Sequence, residues 1–298
     1  MDRPRIIVEV LPPRGHDATR VVAECRVLKE SGAELISVPE NPTAAPRCSC
    51  MAVAHLIQEG TGVPVLMHLT ARDRNRIGLR SEILGAMALG LRHLLVITGD
   101  PPSKEKGRGV FESNTLEILA MAAELSGKRP DAKGKKAKPH PLLLAAGLNQ
   151  NNAMTAQVNR MKQKLDAGAA VVLTQPVYDP ADLDRIQEAM LPLGIGGWGK
   201  QATNPGRFPL YVGVLPVLNP KAAEYFNKVP GIVVPDSLRD QMKRATDWQA
   251  RAIGMEMSRI IIREIVARGL GLYLIDPKAG CYETPELTSY ARDMYKSA

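Results

Sequence analysis

Polar residues stand at the C-terminal ends of several short apolar runs in this sequence. Glu9 closes the run Arg5–Val10 and is followed by Leu11-Pro12-Pro13. Burial disfavours the charged form of a carboxyl, so Glu9 at the end of a buried strand would hold its proton near neutral pH and suit general-acid work. A salt bridge to Arg14 or Arg47 is the structural alternative. His68 and Thr70 end the run Pro64–Leu69, and His68 taken alone reads first as a hydrogen-bonded structural histidine. Asp100 follows the fourth run in Ile97-Thr98-Gly99-Asp100-Pro101-Pro102, which by itself is a turn signal. Asn149 follows the fifth run, and Gln175 closes the sixth in Thr174-Gln175-Pro176-Val177-Tyr178-Asp179. A proton donor, a carboxylate acceptor and two amides would together serve acid catalysis and polar recognition, provided that the fold gathers them.

The elements that must do so are Arg5–Val10, Glu34–Val38, Pro64–Leu69, His93–Thr98, Leu142–Ala146, Ala170–Thr174, Leu210–Leu215 and Gly271–Ile275. Most of these runs are continuously apolar, as in parallel strands covered on both faces. Between them lie amphipathic helical patterns over Asp17–Ser31, Arg80–Leu89, Thr155–Ala167 and Pro180–Met190. A long helical pattern covers Asp236–Ala267, with a break expected near Gly254. Eightfold strand–helix alternation predicts an α/β single-domain (β/α)8 TIM barrel over residues 1–298, whose strand ends would converge on one mouth. A doubly wound open sheet has the same alternation and competes with it. The Lys-rich stretch and residues 194–209 each precede a strand and read as insertions in αβ connections.

The composition, 45% hydrophobic and 23% charged, is that of a globular chain with a core to build. No apolar run approaches the roughly 18–20 residues of a membrane span, and the N-terminal residues lack a signal-peptide pattern, so a cytoplasmic location is expected. Cys25, Cys48, Cys50 and Cys281 have no metal-ligand spacing and argue for neither a metal site nor a disulfide framework. The net charge of +8 raises nucleic-acid binding, but the excess is concentrated in residues 127–138, a Gly- and Pro-containing stretch that reads as a solvated loop. No aromatic residue is interleaved there to stack on bases, so no nucleic-acid partner is expected. An anionic partner docking on that loop is the alternative reading.

The motifs fall in a familiar order. Val8-Glu9-Val10-Leu11-Pro12-Pro13-Arg14-Gly15, the stretch Pro64–Asn75, and Leu94-Leu95-Val96-Ile97-Thr98-Gly99-Asp100-Pro101-Pro102 resemble the core of the methylenetetrahydrofolate reductases. The segments Leu173–Asp179, Gly213–Val217 and Val229–Pro235 follow in register, so the resemblance covers nearly the whole chain. It is nearest to short bacterial and archaeal forms and to the reductase half of fused methyltransferase–reductase proteins. The resemblance implies a flavoprotein of one-carbon metabolism, in which FAD passes a hydride to methylenetetrahydrofolate and gives methyltetrahydrofolate. Glu9 matches the acid that protonates the amine leaving nitrogen, and Asp100 the carboxylate that contacts flavin and pterin. Gln175 and Phe226 match folate-binding positions. His68, Thr98, Gly99 and Asp100 match the flavin side, and Gln157, Arg160 and Lys164 the helix that holds the cofactor.

The sequence departs from the family pattern at several contacts. Pro39 replaces a flavin-contacting Thr, Thr98 a basic residue, Gly147 an aromatic, and Pro277, with Lys278 adjacent, a folate-contacting Arg. The implied reductant is NADH or NADPH, bound without a Gly-x-Gly-x-x-Gly fingerprint in alternation with folate. The alternatives are a catalytic subunit fed by an electron-donor protein and a flavin-free folate-binding or methyl-transfer barrel. The exposed helices of a barrel also leave room for a homo-oligomer.

Overall fold

Leu, Ile and Val fill the strands from both sides, and every strand pairs in parallel. The computed structural model describes residues 3–103, 105, 107–200, 202–275 and 283–298. The first half of the barrel runs β1 (Ile6–Glu9), α1 (Thr19–Ser31), β2 (Leu35–Val38), α2 (Cys50–Thr61), β3 (Val65–Thr70), α3 (Arg76–Ala88), β4 (His93–Ile97) and α4 (Thr115–Leu125). The second half runs β5 (Leu143–Leu148), α5 (Met154–Asp166), β6 (Val171–Pro176), α6 (Pro180–Met190), β7 (Ile195–Gly196), β8 (Phe208–Val214), α7 (Pro220–Phe226), α8 (Asp236–Lys243), α9 (Asp247–Ala267), β9 (Gly271–Ile275) and α10 (Glu283–Ser297).

The ring closes. β1 pairs with both β2 and β9, and β6 skips β7 to pair with β8 through Val172↔Leu210 and Leu173↔Tyr211. The sheet therefore has no free edge among the eight barrel strands, which selects the (β/α)8 barrel over the open doubly wound sheet. The two-residue β7 pairs with the start of β8 inside the 194–209 insertion. No helix among the described residues is long and apolar enough to cross a membrane.

Side chains alternate along each strand with a period of two, and that alternation builds two cores. Val8, Ile36, Met67, Val96 and Val172 point outward to the helices. Ile7, Leu35, Leu66, Leu95, Ala145, Leu173, Tyr211 and Tyr273 point inward and fill the barrel. The inward parity of Ile7 carries to Glu9, that of Leu35 to Ser37, and that of Leu66 to His68 and Thr70. The residues facing the C-terminal mouth are thus the next inward positions beyond the apolar layer.

One helix boundary differs from the sequence pattern. The long region over Asp236–Ala267 breaks at residues 244–246, where Thr246 and Gln249 form a reciprocal capping box, and not at Gly254. Gly254 lies inside α9 because the backbone of Val217 presses on it. A Cβ there would stand 1.8 Å from the Val217 carbonyl oxygen. The helices α2, α4, α7 and α10 carry no assignment in the pattern reading. Three of them are short or nearly apolar all round, which hides the 3.6-residue period.

Candidate active site

The C-terminal mouth is an open cleft of about 460 Å³. Glu9, His68, Thr98, Gly99, Asp100 and Gln175 all line it, although they come from four different strands or the turns that follow them. Barrel closure brings them together, and a cleft of this size at the strand C-termini is where a barrel places its chemistry.

Glu9 lies on the floor. Tyr273, from the neighbouring β9, donates its hydroxyl proton to Glu9 Oε2 in a short hydrogen bond. Burial, and then the Glu9 carboxyl itself, push the Tyr273 hydroxyl well above the ordinary tyrosine range, so it remains a proton donor here. His68 Nε2 stands 3.9 Å from Glu9 Oε2 and 2.7 Å from Ser37 Oγ. Burial pushes the His68 imidazole down to about 3. His68 is therefore neutral at physiological pH, and its approach to Glu9 is not an ion pair. Arg47, one of the cations considered as a partner for Glu9, is turned to the Pro12 carbonyl at 2.6 Å.

The β2 and β3 loops build one wall from buried charge. Glu40 is 4% exposed and accepts from the Thr70 amide at 2.7 Å, the Thr70 hydroxyl at 2.8 Å and Arg74 at 2.5 Å. Arg72 is 3% exposed, forks onto Asp73 at 2.5 and 2.7 Å, and reaches the Asp100 carbonyl at 3.3 Å. Burial opposes ionisation of Asp73, but the hydrogen bonds from Arg72 and Asn41 outweigh it and hold the carboxyl below its usual range. This bidentate pairing fixes the planes of both groups and anchors the turn that carries Asp100.

Asp100 itself accepts from the Thr43 amide at 3.1 Å. The preceding Gly99 has φ +83°, and a side chain there would press on Arg72 and Thr70 at 3.1 Å, so glycine is required. Thr43 belongs to a turn in which Asn41, Thr43 and Ala44 all have positive φ. Such strain persists only where surrounding contacts hold it, here the bonds to Asp73 and Asp100.

The opposite wall is formed by amides. Gln150 accepts from the Gln175 amide at 3.0 Å and donates to the Gln175 carbonyl at 3.0 Å, which locks the strand end. The side chains of Asn149 and Gln175 close on Gly231, whose φ is +87°. Asn151 donates to the Gly231 carbonyl at 2.9 Å and pins the segment Val229–Ile232 over the cleft.

The remaining expected site residues lie outside this lining. Phe226 ends α7, meets Tyr225 edge-on at 5.3 Å, and packs on the cluster with Val217, Val234 and Leu238. Lys164 reaches the cleft wall from behind, donating to the Gly147 carbonyl at 2.6 Å. Burial, helped by the nearby Arg160, pushes the Lys164 ammonium down to about 8. Gln157 is half-buried and Arg160 exposed, both on α5, the helix that starts from the mouth. Pro277, Lys278 and Cys281 lie outside the described residues. Cys25 and Cys50 are buried free thiols, and burial pushes Cys25 up to about 12. No group of three or more His, Cys, Asp or Glu among the described residues is placed to hold a metal ion.

Ser37, Glu40, Arg72 and Tyr273 were not singled out from the sequence. Ser37 and Tyr273 could have been found by extending the inward parity of Leu35 along β2 and by following it through Tyr211 to β9. Glu40 and Arg72 gave no such signal, since a charged residue in a loop normally reads as solvated.

A family model described as methylenetetrahydrofolate reductase matches residues 2–279. A 5,10-methylenetetrahydrofolate reductase of Pectobacterium carotovorum subsp. carotovorum is 22% identical over 269 residues, covering 88% of this chain and 83% of the relative. The enzyme of the same name from Salmonella typhimurium is 25% identical over 238 residues, covering 78% and 72%. Among solved structures, a Clostridium thermocellum protein that binds two copies of 5-methyl-5,6,7,8-tetrahydrofolic acid superposes with TM-score 0.71 at 12% identity, covering 98% of this chain and 95% of that one. The coenzyme F420 dependent tetrahydromethanopterin reductase from Methanopyrus kandleri gives 0.59 at 11% identity, covering 99% of each. At such identities the two structures speak to the fold alone.

Proposed function

The chain belongs to the methylenetetrahydrofolate reductase family of enzymes, and from that premise we propose that its mouth reduces 5,10-methylenetetrahydrofolate to 5-methyltetrahydrofolate with Glu9 as the general acid. Bound FAD would supply the hydride. The observation that carries this reading is the carboxyl of Glu9 on the cleft floor, beside a neutral imidazole and under a tyrosine donor.

The cleft has a surface suited to a flat ring. Gly147 presents no side chain, and a Cβ there would meet Ile97 Cγ2 at 3.9 Å with open space beyond. His68, Thr98, Gly99 and Asp100 would hold the cofactor at this side, and Gln157, Arg160 and Lys164 along α5. Pro39 also lines the cleft and offers no donor there.

Each residue then has a task. The methylene bridge of the substrate must open before it accepts a hydride, and the departing amine nitrogen needs a proton. Glu9 gives that proton. The Tyr273 O–H orients the carboxyl, and the imidazole of His68 beside it is neutral. Asp100 accepts from the amino and ring N–H groups of the pterin, and its charge favours the cation formed when the ring opens. Gln175 and Asn149 offer both donors and acceptors to the folate. A cytoplasmic setting suits this chemistry.

The absorption spectrum of the purified protein, before and after anaerobic NADH, tests the reading. Flavin bands that bleach support a self-sufficient reductase. Flavin bands that persist redirect the search to an electron-donor protein. No flavin after reconstitution with FAD would overturn the redox reading and leave a folate-binding barrel.

A further inference from the structure

The net charge of the chain has a location. The segments at the N-terminal ends of the strands form the face opposite the catalytic mouth. Residues 3–5 bring Arg3 and Arg5 to it, and the turn before β4 brings Arg92. The connection from α4 to β5 adds Lys128, Arg129, Lys133, Lys135, Lys136 and Lys138 against Asp131. The insertion before β8 adds Lys200 and Arg207, while Glu34 is the other acid of these segments; Arg268, in the turn before β9, is paired with Asp184 and Glu264. Eleven Lys and Arg thus stand against two carboxylates in these segments, more than the +8 of the whole chain. The rest of the molecule is close to neutral.

Both acids are engaged at home. Glu34 accepts from the Arg5 amide at 2.9 Å. Asp131 accepts from the Lys133 and Lys135 amides at 2.9 and 2.8 Å, and so holds the turn that displays the lysines. Residues 128–139 are all exposed.

At the centre of this cationic face a pocket enters the end of the barrel. A cavity of about 340 Å³ opens among Ile7, Leu35, Leu66, Leu143, Ala145 and Val171. Ala145 on β5 and Ala170 just before β6 are the small residues of its lining. Arg3 and Arg207 stand at its rim, Arg3 donating to the Arg207 carbonyl at 3.2 Å and Arg207 lying over Phe208. The Lys-rich connection leads directly into β5, the strand that lines the hollow.

We infer that this face docks an acidic segment of a partner protein that inserts one apolar side chain into the barrel's N-terminal mouth. Charge complementarity supplies the steering and the cavity the anchor. A nucleic acid would satisfy the lysines but has no aliphatic side chain for the hollow, and the loop has no aromatic residue to stack on its bases. A flat anionic membrane would meet the same lysines without entering a concave site. The partner docks on the side away from Glu9, so it tethers the enzyme and leaves the catalytic mouth open.

The test is fluorescence anisotropy of the full-length protein with a labelled glutamate-rich peptide carrying one central leucine. Binding is expected at low ionic strength, with at least about tenfold loss between roughly 0.05 and 0.3 M salt. Replacing the leucine by alanine should weaken it about tenfold, as for a buried Leu side chain withdrawn from an apolar site. The triple variant K133E/K135E/K136E should weaken both peptides while leaving catalytic turnover unchanged. Equal binding of the leucine and alanine peptides would overturn the anchor. No binding of the leucine peptide, or an unaffected triple variant, would overturn the surface. Tighter binding of a single-stranded oligonucleotide of equal charge, or of phosphatidylserine vesicles, would replace the acidic protein with that partner.

Discussion

Two neighbours of Glu9 on the cleft floor are neutral. Tyr273 and His68 approach the same oxygen, Oε2, and both are neutral near pH 7. Glu9→Gln keeps the shape of the floor and removes the proton. Flavin reduction should persist, while reduction of the methylene substrate should fall by about 10²- to 10⁴-fold, the usual worth of a positioned acid. Rapid-mixing measurements of the two half-reactions check this, and equal loss in both would refute the acid role. His68 bears on stability. Its folded value near 3 lies below the unfolded value near 6.5, so the unfolded chain binds the extra proton and acid favours unfolding. The stability tied to the neutral ring is whole above pH 6.5 and drains as pH falls from there toward 3. Between pH 6.5 and 5.5 the loss should be about 1 kcal/mol, and urea titrations of His68→Gln should show a correspondingly flatter pH dependence.

At the scale of the element, backbone approach decides more than helix or strand preference. An alanine normally stabilises a helix interior by about 1 kcal/mol over glycine. Gly254→Ala should reverse that sign, because its Cβ would overlap the Val217 carbonyl. A loss of about 1–3 kcal/mol is expected from this overpacking, read as a lowered urea midpoint. The segment over the mouth makes a different use of glycine. Gly231 combines positive φ with contact to Asn149 and Gln175, so Gly231→Ala strains the loop and crowds both amides. Folate affinity should fall by about tenfold, with the global unfolding midpoint little changed, since this loop lies outside the barrel core. A variant that lost stability and kept its folate affinity would show the segment to be structural alone.

For the molecule as a whole, what could be read from the sequence follows the physics of closure. Eight buried runs and their order were legible because strands covered on both faces need continuous apolar side chains. The gathering of Glu9, His68, Asp100 and Gln175 followed once the ring was assumed. The Glu40–Arg72–Asp73 wall was not legible, because charges in the two loops after β2 and β3 leave no periodic trace. The break falls at residues 244–246 and not at Gly254, because glycine as a breaker and glycine as a close contact look alike in one dimension. Closure itself was invisible in the pattern, and it rests on the seam between β6 and β8. There the register shifts between Leu173 and Pro176, and a Cβ on Gly213 would stand 2.8 Å from the carbonyl carbon and oxygen of Gln175. The contact that shuts the barrel therefore also seats the amide expected to read folate. Gly213→Ala should push the strands apart, costing about 1–3 kcal/mol of stability and raising KM for folate more than it lowers kcat. If stability fell and KM did not move, Gln175 would owe its place to Gln150 and not to the seam.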